Sequence, residues 1–286
     1  MDVQSKINLI KDLFRDEELV QAYELLEEFL NEYSGQSQIL NIIDSVPEIQ
    51  ALRQDVADTT QCLNMLADMS SWTLNNESDG ISTYISGNGR EFLVRSEAEI
   101  ETGLFPILVL LAEPDMLPKW LPMLSDVKIL GEPTKYRRIL NYKFNLPWPV
   151  SDREASVLGR GMPLIDSRGL VIMLKTVESN YLGTDIPAAS EGSVKVDISL
   201  SCIYIQYSQE NKCSISLIIR SDPKLPLIPQ WLINYGTKQV THIFLKNLRE
   251  YATKFAGSEF EDRVKARPEF YNDIHKKLED YQMNYL

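Results

Sequence analysis

Apolar residues recur at helical spacing through the first seventy residues and then switch to the alternation of strands. Leu19, Val20, Tyr23, Leu26 and Leu30 keep one stripe, with Glu24, Glu27 and Glu28 between them, and Asn31 to Gly35 stops the run. A second periodic run starts at Ile39. Pro47 opens a third, which carries Ile49, Leu52, Val56, Leu63 and Leu66 as far as Met69. Two or three packed helices are predicted, and because no repeat period relates them they form one small bundle.

From Trp72 the period changes. Ile81 to Ile85 alternates, Gly87-Asn88-Gly89 supplies the positive-φ residues of a tight hairpin, and Glu91 to Arg95 answers as a second strand. Glu97 to Ala112 reads as a helical interval, on which Glu97, Glu99 and Glu101 would diverge, and Glu113-Pro114-Asp115 breaks it. Met116, Trp120, Leu121 and Leu124 suggest a second short helix. Six runs rich in β-branched and aromatic residues follow, over 127–130, 135–146, 155–164, 170–177, 194–206 and 213–220, each bounded by Pro, Gly, Asn or Ser. Strands in such succession predict an antiparallel sheet.

The next element sets the architecture. Ile228, Trp231, Leu232, Tyr235, Val240, Ile243, Phe244, Tyr251, Ala252 and Phe255 keep an apolar stripe over about 28 residues, roughly 40 Å of helix. A helix of that length crosses a curved sheet. The expected fold class is α+β, a helix-grip arrangement in which a long helix plugs an incomplete barrel and leaves a cavity. Gly257-Ser258 ends the helix, and a tail with Pro268 as a breaker and Phe270, Ile274, Leu278, Tyr281 and Tyr285 beyond it predicts one amphipathic helix. The expected organisation is a helical module at 1–70, the sheet and its closing helix at 71–257, and a helical tail at 258–286.

Two short segments carry a family signature. Pro147-Trp148-Pro149-Val150-Ser151-Asp152-Arg153-Glu154 sits between two strand runs, and Asp222-Pro223 with Ile228-Pro229-Gln230-Trp231-Leu232-Ile233-Asn234 leads into the closing helix. In content and order they resemble the START lipid-transfer domain over residues 70 to 256. Glu154 stands where the family has Asp, and Lys224 and Leu225 replace two glycines. The resemblance implies one lipid, a phospholipid or other hydrophobic ligand, in the cavity. It also implies an interior arginine six positions beyond Arg153, where this chain has Gly159, with Arg160 one later on the opposite face of a regular strand. The partner carboxylate of sterol-type members is replaced near Leu140 and Asn141, which argues against a sterol-type head site. Asn180 to Gly192 matches the loop whose movement opens the family's cavity.

Strand alternation adds candidates. Tyr136, Arg138, Leu140, Tyr142 and Phe144 share a face, so Arg138 lies among apolar neighbours and either meets an internal carboxylate or offers its fork to a lipid phosphate or hydroxyl. Lys175 shares a face with Val171, Met173 and Val177, and Asp197 is a possible counter-charge. The expected lipid-binding set is Arg138, Tyr142, Arg160, Lys175, Asp197, Trp231 and Tyr235. Met162, Met173 and Trp231 are large enough to fill the cavity instead, which supports a different reading: an interaction or assembly subunit without cargo.

Composition narrows the classes. With 286 residues, 44% apolar and 24% charged, the chain can bury a full core, and no run of about 18 apolar residues spans a bilayer. The beginning, Met1-Asp2-Val3-Gln4, lacks the order of a signal peptide, so the cytoplasm is expected. Cys62, Cys202 and Cys213 suggest neither a disulfide framework nor a metal site. Residues 1–70 hold 14 Asp and Glu against 4 Lys and Arg, so −10 of the net −12 belongs there. That acidity repels phosphates, excludes a nucleic-acid role, and offers a docking face for a basic protein partner. Lys238, Lys246, Arg249 and Lys254 against Glu250 fit either transient membrane contact or the wet side of a helix. Common nucleophile and nucleotide motifs are absent, His242 and His275 fall on predicted helices beside lysines, and neither catalysis nor a cofactor is expected.

Overall fold

Four helices precede the sheet in the computed structural model, which describes residues 2–86, 91–164, 167–208, 211–225 and 229–283. They are α1 (Val3–Arg15), α2 (Leu19–Glu32), α3 (Ser37–Asp44) and α4 (Pro47–Ala67). The first was not legible as a separate stripe. It starts at Asp2, whose carboxylate accepts the Ser5 backbone N–H at 2.8 Å, and it buries Ile7, Ile10 and Phe14.

Among the described residues eleven strands form one sheet: β1 (Thr73–Ser78), β2 (Ile81–Ser86), β3 (Phe92–Ile100), β4 (Leu124–Gly131), β5 (Arg138–Phe144), β6 (Arg153–Leu164), β7 (Gly169–Thr176), β8 (Val194–Lys195), β9 (Asp197–Ile198), β10 (Ser201–Ser208) and β11 (Lys212–Asp222). The order is β1-β2-β3-β11-β10-β7-β6-β5-β4, all antiparallel, with β8 added parallel to β6 and β9 antiparallel to β11. Several expectations change. β1 is an exposed edge and so carries no apolar alternation. The interval from Glu97 continues β3 to Ile100, with Ala98 and Ile100 buried around exposed Glu99, and only Leu104–Ala112 is helical (α5). The run at 194–206 is divided into the two-residue strands β8 and β9 and the start of the eight-residue β10. The hairpin tip at 87–89 lies outside the described residues.

After α5 come a single 3-10 turn, Pro114–Met116, and α6 (Leu117–Trp120). The closing helix runs as α7 (Gln230–Gly236), a wide π-type turn at Thr237–His242, and α8 (Ile243–Thr253). Ile228 and Tyr285 fall outside the described residues. The tail forms the helix expected beyond Pro268, α10 (Pro268–Met283), and one more before it, α9 (Glu259–Ala266), capped by Ser258.

The sheet separates two cores. Met162, Val171, Met173, Cys202 and Ile218 face the back and pack with Ile7, Phe14, Leu26 and Leu52 of the N-terminal helices. Leu140, Tyr142, Val157, Ile203 and Leu217 face the front with α5 and α8, joined by Phe260, Tyr271 and Ile274 of the tail. The acidic helices therefore cover the back of the sheet, and the tail completes the front core.

Candidate functional site: an apolar cavity under the closing helix

Antiparallel register decides which side chains reach the front. Arg138 pairs with Gly159, Leu140 with Val157, Tyr142 with Ala155 and Phe144 with Arg153, so these eight positions share the front face. Gly159 and Gly161 leave space there. That space is a cavity of about 730 Å³, walled by Leu140, Tyr142, Ile172, Leu174 and Leu217 of the sheet, Leu108 and Leu111 of α5, and Leu232, Tyr235, Val240 and Phe244 of the closing helix. Phe270, Ile274, Lys277 and Leu278 of α10, with Glu17 of the α1–α2 turn and Leu19 at the start of α2, border it as well. Gly236 is required where the helix meets Phe92: a Cβ there would lie 2.5 Å from the ring.

Polar groups are few. Arg138 borders the cavity, donating from Nε to Glu132 at 2.8 Å and from Nη1 to the Ala112 carbonyl, with its guanidinium 5.4 Å from the Phe270 ring centre. Burial pushes the Tyr142 hydroxyl far up in pKa. Glu17 accepts from the Thr134 hydroxyl and, at 3.2 Å, from the Tyr136 backbone N–H, yet burial raises its pKa. Nearby, buried Glu113 is held by the Tyr271 hydroxyl and by Arg267 at 3.0 Å, which fastens α10 behind α5.

On the back face the charges pair with one another. Asp55 and Asp58 of α4 meet Arg137, just before β5, and Arg160 of β6, and Lys175 of β7 reaches Asp58 at 3.0 Å. Arg137 also donates to the Tyr181 hydroxyl at 2.9 Å, which ties down the start of the 180–192 loop.

The expected site residues thus separate. Arg138, Tyr142 and Tyr235 border the cavity. Arg160 lies at its edge, but its Nε and Nη2 are bonded to Asp55 and Asp58 behind the sheet. Lys175 belongs to the same rear network. Asp197 pairs in register with Asp222 on the β9–β11 edge, while the charges that compensate the strand cations are Asp55 and Asp58. Trp231 is 42% exposed and stands outside the cavity wall. Met162 and Met173 point to the back core.

Arg153 was missed as a wall residue although it lay in the quoted turn motif; counting back two from Ala155 puts it on the front face. Its Nε donates to the Pro223 carbonyl at 3.0 Å, and its Nη1 to the carbonyl and hydroxyl of Ser151 at 2.6 and 2.9 Å. The two sequence motifs therefore meet at this side chain, the cis-proline loop at 148–149 on one side and the approach to α7 on the other. The role of α10 had no signal beyond amphipathicity.

The chain was compared with known proteins. No curated sequence matches. Among solved structures, human STARD10 superposes with a TM-score of 0.62 at 17% identity, over 77% of this chain and 86% of that one. Human StAR-related lipid transfer protein 5 gives 0.62 at 16% identity, over 72% and 98%. Human StarD13 (DLC2) lipid transfer and protein localization domain gives 0.52 at 18%, over 67% and 95%. At such identities the likeness shows the fold. The START domain family model matches residues 53–256, from within α4 to just past the closing helix. That match covers most of the chain, and the chain belongs to the START domain family.

Proposed function

We propose that this protein binds one lipid between the sheet and the closing helix and transfers it between membranes, working in the cytoplasm without catalysis. The observation that carries the reading is the apolar cavity of about 730 Å³ in a START-family chain. Its size lies within the usual range for ligand sites. Removing about 400 Å² of acyl chain from water would supply on the order of 10 kcal/mol before the entropic losses of binding. Of the expected residues, Arg138, Tyr142 and Tyr235 stand at the wall and Arg160 at its edge. One structural relative is a StAR-related lipid transfer protein, which supports the same activity.

Transient membrane contact is assigned to the loop end. Trp148 is 92% exposed there, and Trp231 is partly exposed on α7, beyond the Arg153–Pro223 link. An indole left in water favours a membrane interface. Among the described residues no helix is long and apolar enough to cross a membrane. The acidic N-terminal helices are the proposed face for a protein partner.

Native mass spectrometry of the purified chain, with extraction and identification of co-purifying lipid, tests the reading. A stoichiometric lipid is the expected result. A chain that arrives empty and takes nothing from mixed liposomes would transfer the proposal to the assembly-subunit reading.

A further inference from the structure

Among the described residues six charged side chains border the cavity: Glu17, Arg138, Arg153, Arg160, Arg168 and Lys277. One acid against five bases reverses the sign of a chain whose net charge is −12. Most of those bases are engaged. Arg160 meets Asp55 and Asp58, Lys277 meets Glu18 at 2.8 Å, Arg138 meets Glu132, and Arg168 also has a partner.

Arg153 differs. It is 5% exposed, and every acceptor it has is neutral: Pro223 O, Ser151 O and Oγ, and Asp152 O at 3.5 Å. Among the described residues no carboxylate pairs with it, and its Nη2 donates to nothing. The Asp152 carboxylate, next to it in the chain, forms no ion pair with it, only the Asp152 backbone O being within reach; Glu154 accepts the Ser190 backbone N–H and Asp222 is held by Lys224. Desolvation lowers the Arg153 pKa, as expected for a buried charge without a counter-charge.

A guanidinium buried without an anion is costly, and its planar fork fits carboxylate and phosphate oxygens. Arg153 sits opposite Phe144 at the end of the cavity bordered by Leu146, Ser221 and Pro223, beneath the loop that carries Trp148. Ile172 and Leu174 line the space further along the sheet and are apolar.

Resting on the lipid-holding reading above, we propose that the cargo is an anionic amphiphile whose phosphate or carboxylate head pairs with Arg153, with its tail laid along the sheet under the closing helix. The Nε and Nη1 of Arg153 hold the two loops together, and Nη2 is left for the head.

The test uses lipid pairs with matched tails that differ in head charge: oleic acid against methyl oleate, and dioleoyl phosphatidic acid against dioleoylglycerol. The full chain is loaded with each and quantified by native mass spectrometry at mildly alkaline pH. The acidic member of a pair should load about tenfold better or more, the scale of one charge-assisted hydrogen bond. Preference in one pair alone supports the proposal and identifies the head as carboxylate or phosphate. Arg153→Gln should abolish the preference, and Arg153→Lys should restore part of it. Equal loading of acidic and neutral partners by the wild-type chain overturns the proposal and leaves lipid binding standing, as does an unchanged preference in Arg153→Gln. If no lipid of either pair loads, the lipid-holding reading itself fails. Should Arg153→Gln fail to fold, the wild-type pairs still decide, because only head charge differs within each.

Discussion

Arg137, just before β5, sets its guanidinium fork against the carboxylate of Asp55 on α4, with Nη1 3.2 Å from Oδ1, Nη2 bonded to Oδ2, and both side chains almost wholly buried. The same carboxylate accepts Arg160 Nε at 2.5 Å, so one acid on α4 holds an arginine of β6 and one at the entry to its neighbour β5. The Arg137 guanidinium also lies 4.7 Å from the centre of the Phe14 ring of α1.

Replacing Asp55 with Asn is therefore expected to destabilise the chain strongly. It leaves two buried guanidinium groups short of an anion, a loss of about 3–5 kcal/mol. Urea unfolding measures it. A midpoint equal to that of the wild type would show that the rear network contributes nothing to holding α4.

Glu17 makes stability depend on pH in a definite direction. Its carboxyl pKa is raised in the fold by burial, against the pull of the Thr134 hydroxyl and Arg137. The folded state thus binds its proton more tightly than the unfolded state does. This contribution is fully present below the ordinary carboxylate value near 4.5 and is lost as pH climbs through the raised value. Glu17→Gln should remove that decline, so its stability relative to wild type should grow across the window. Parallel curves from acid to neutral pH would sink the argument.

At Gly236 the helix backbone touches the Phe92 ring, and both residues border the cavity. An added methyl group there must push the ring into the cavity or lift the helix. Gly236→Ala is expected to fold with a cost of about 1–3 kcal/mol and to hold less lipid. Combining it with Phe92→Leu should recover much of the capacity. Undiminished loading in the single variant would mean that the helix moves freely over β3.

Trp148 projects from the loop between β5 and β6 and is absent from the cavity wall. Trp148→Ser is expected to slow lipid extraction from vesicles while leaving loading from detergent-dispersed lipid unchanged. Equal extraction rates would remove the loop from membrane contact.

The sheet was readable where alternation was strong. Side-chain alternation along β5 let Arg138 and Tyr142 be assigned to one face together, and the apolar stripe from Ile228 to Phe255 supplied the long helix. Glu97 to Ala112 misled because β3 passes into α5 within a few residues, and Leu104 to Ala112 is apolar enough to dominate the whole window. Arg160 and Lys175 could not be assigned from β6 and β7 alone. Their partners Asp55 and Asp58 lie about a hundred positions earlier, spaced to share one face of α4, and nothing in strand periodicity names a partner across a sheet. The tail was invisible as a cavity element for the same reason: Phe270, Ile274 and Leu278 show an apolar stripe and not what it covers.

The wide turn at Thr237–His242 fixes how the closing helix is phased. Leu232 and Phe244 both border the cavity, yet in an unbroken α-helix residues so spaced would diverge by roughly a third of a turn. The wider turn takes up the surplus. The helix is in effect two screws of equal pitch joined out of step, and the extra residue at the joint is what lets both threads engage the same nut. Deleting any one residue between 237 and 242 would leave Phe244 and Leu248 seated while rotating Leu232 and Tyr235 away from the cargo, converting a single binding surface into two that cannot be satisfied at once.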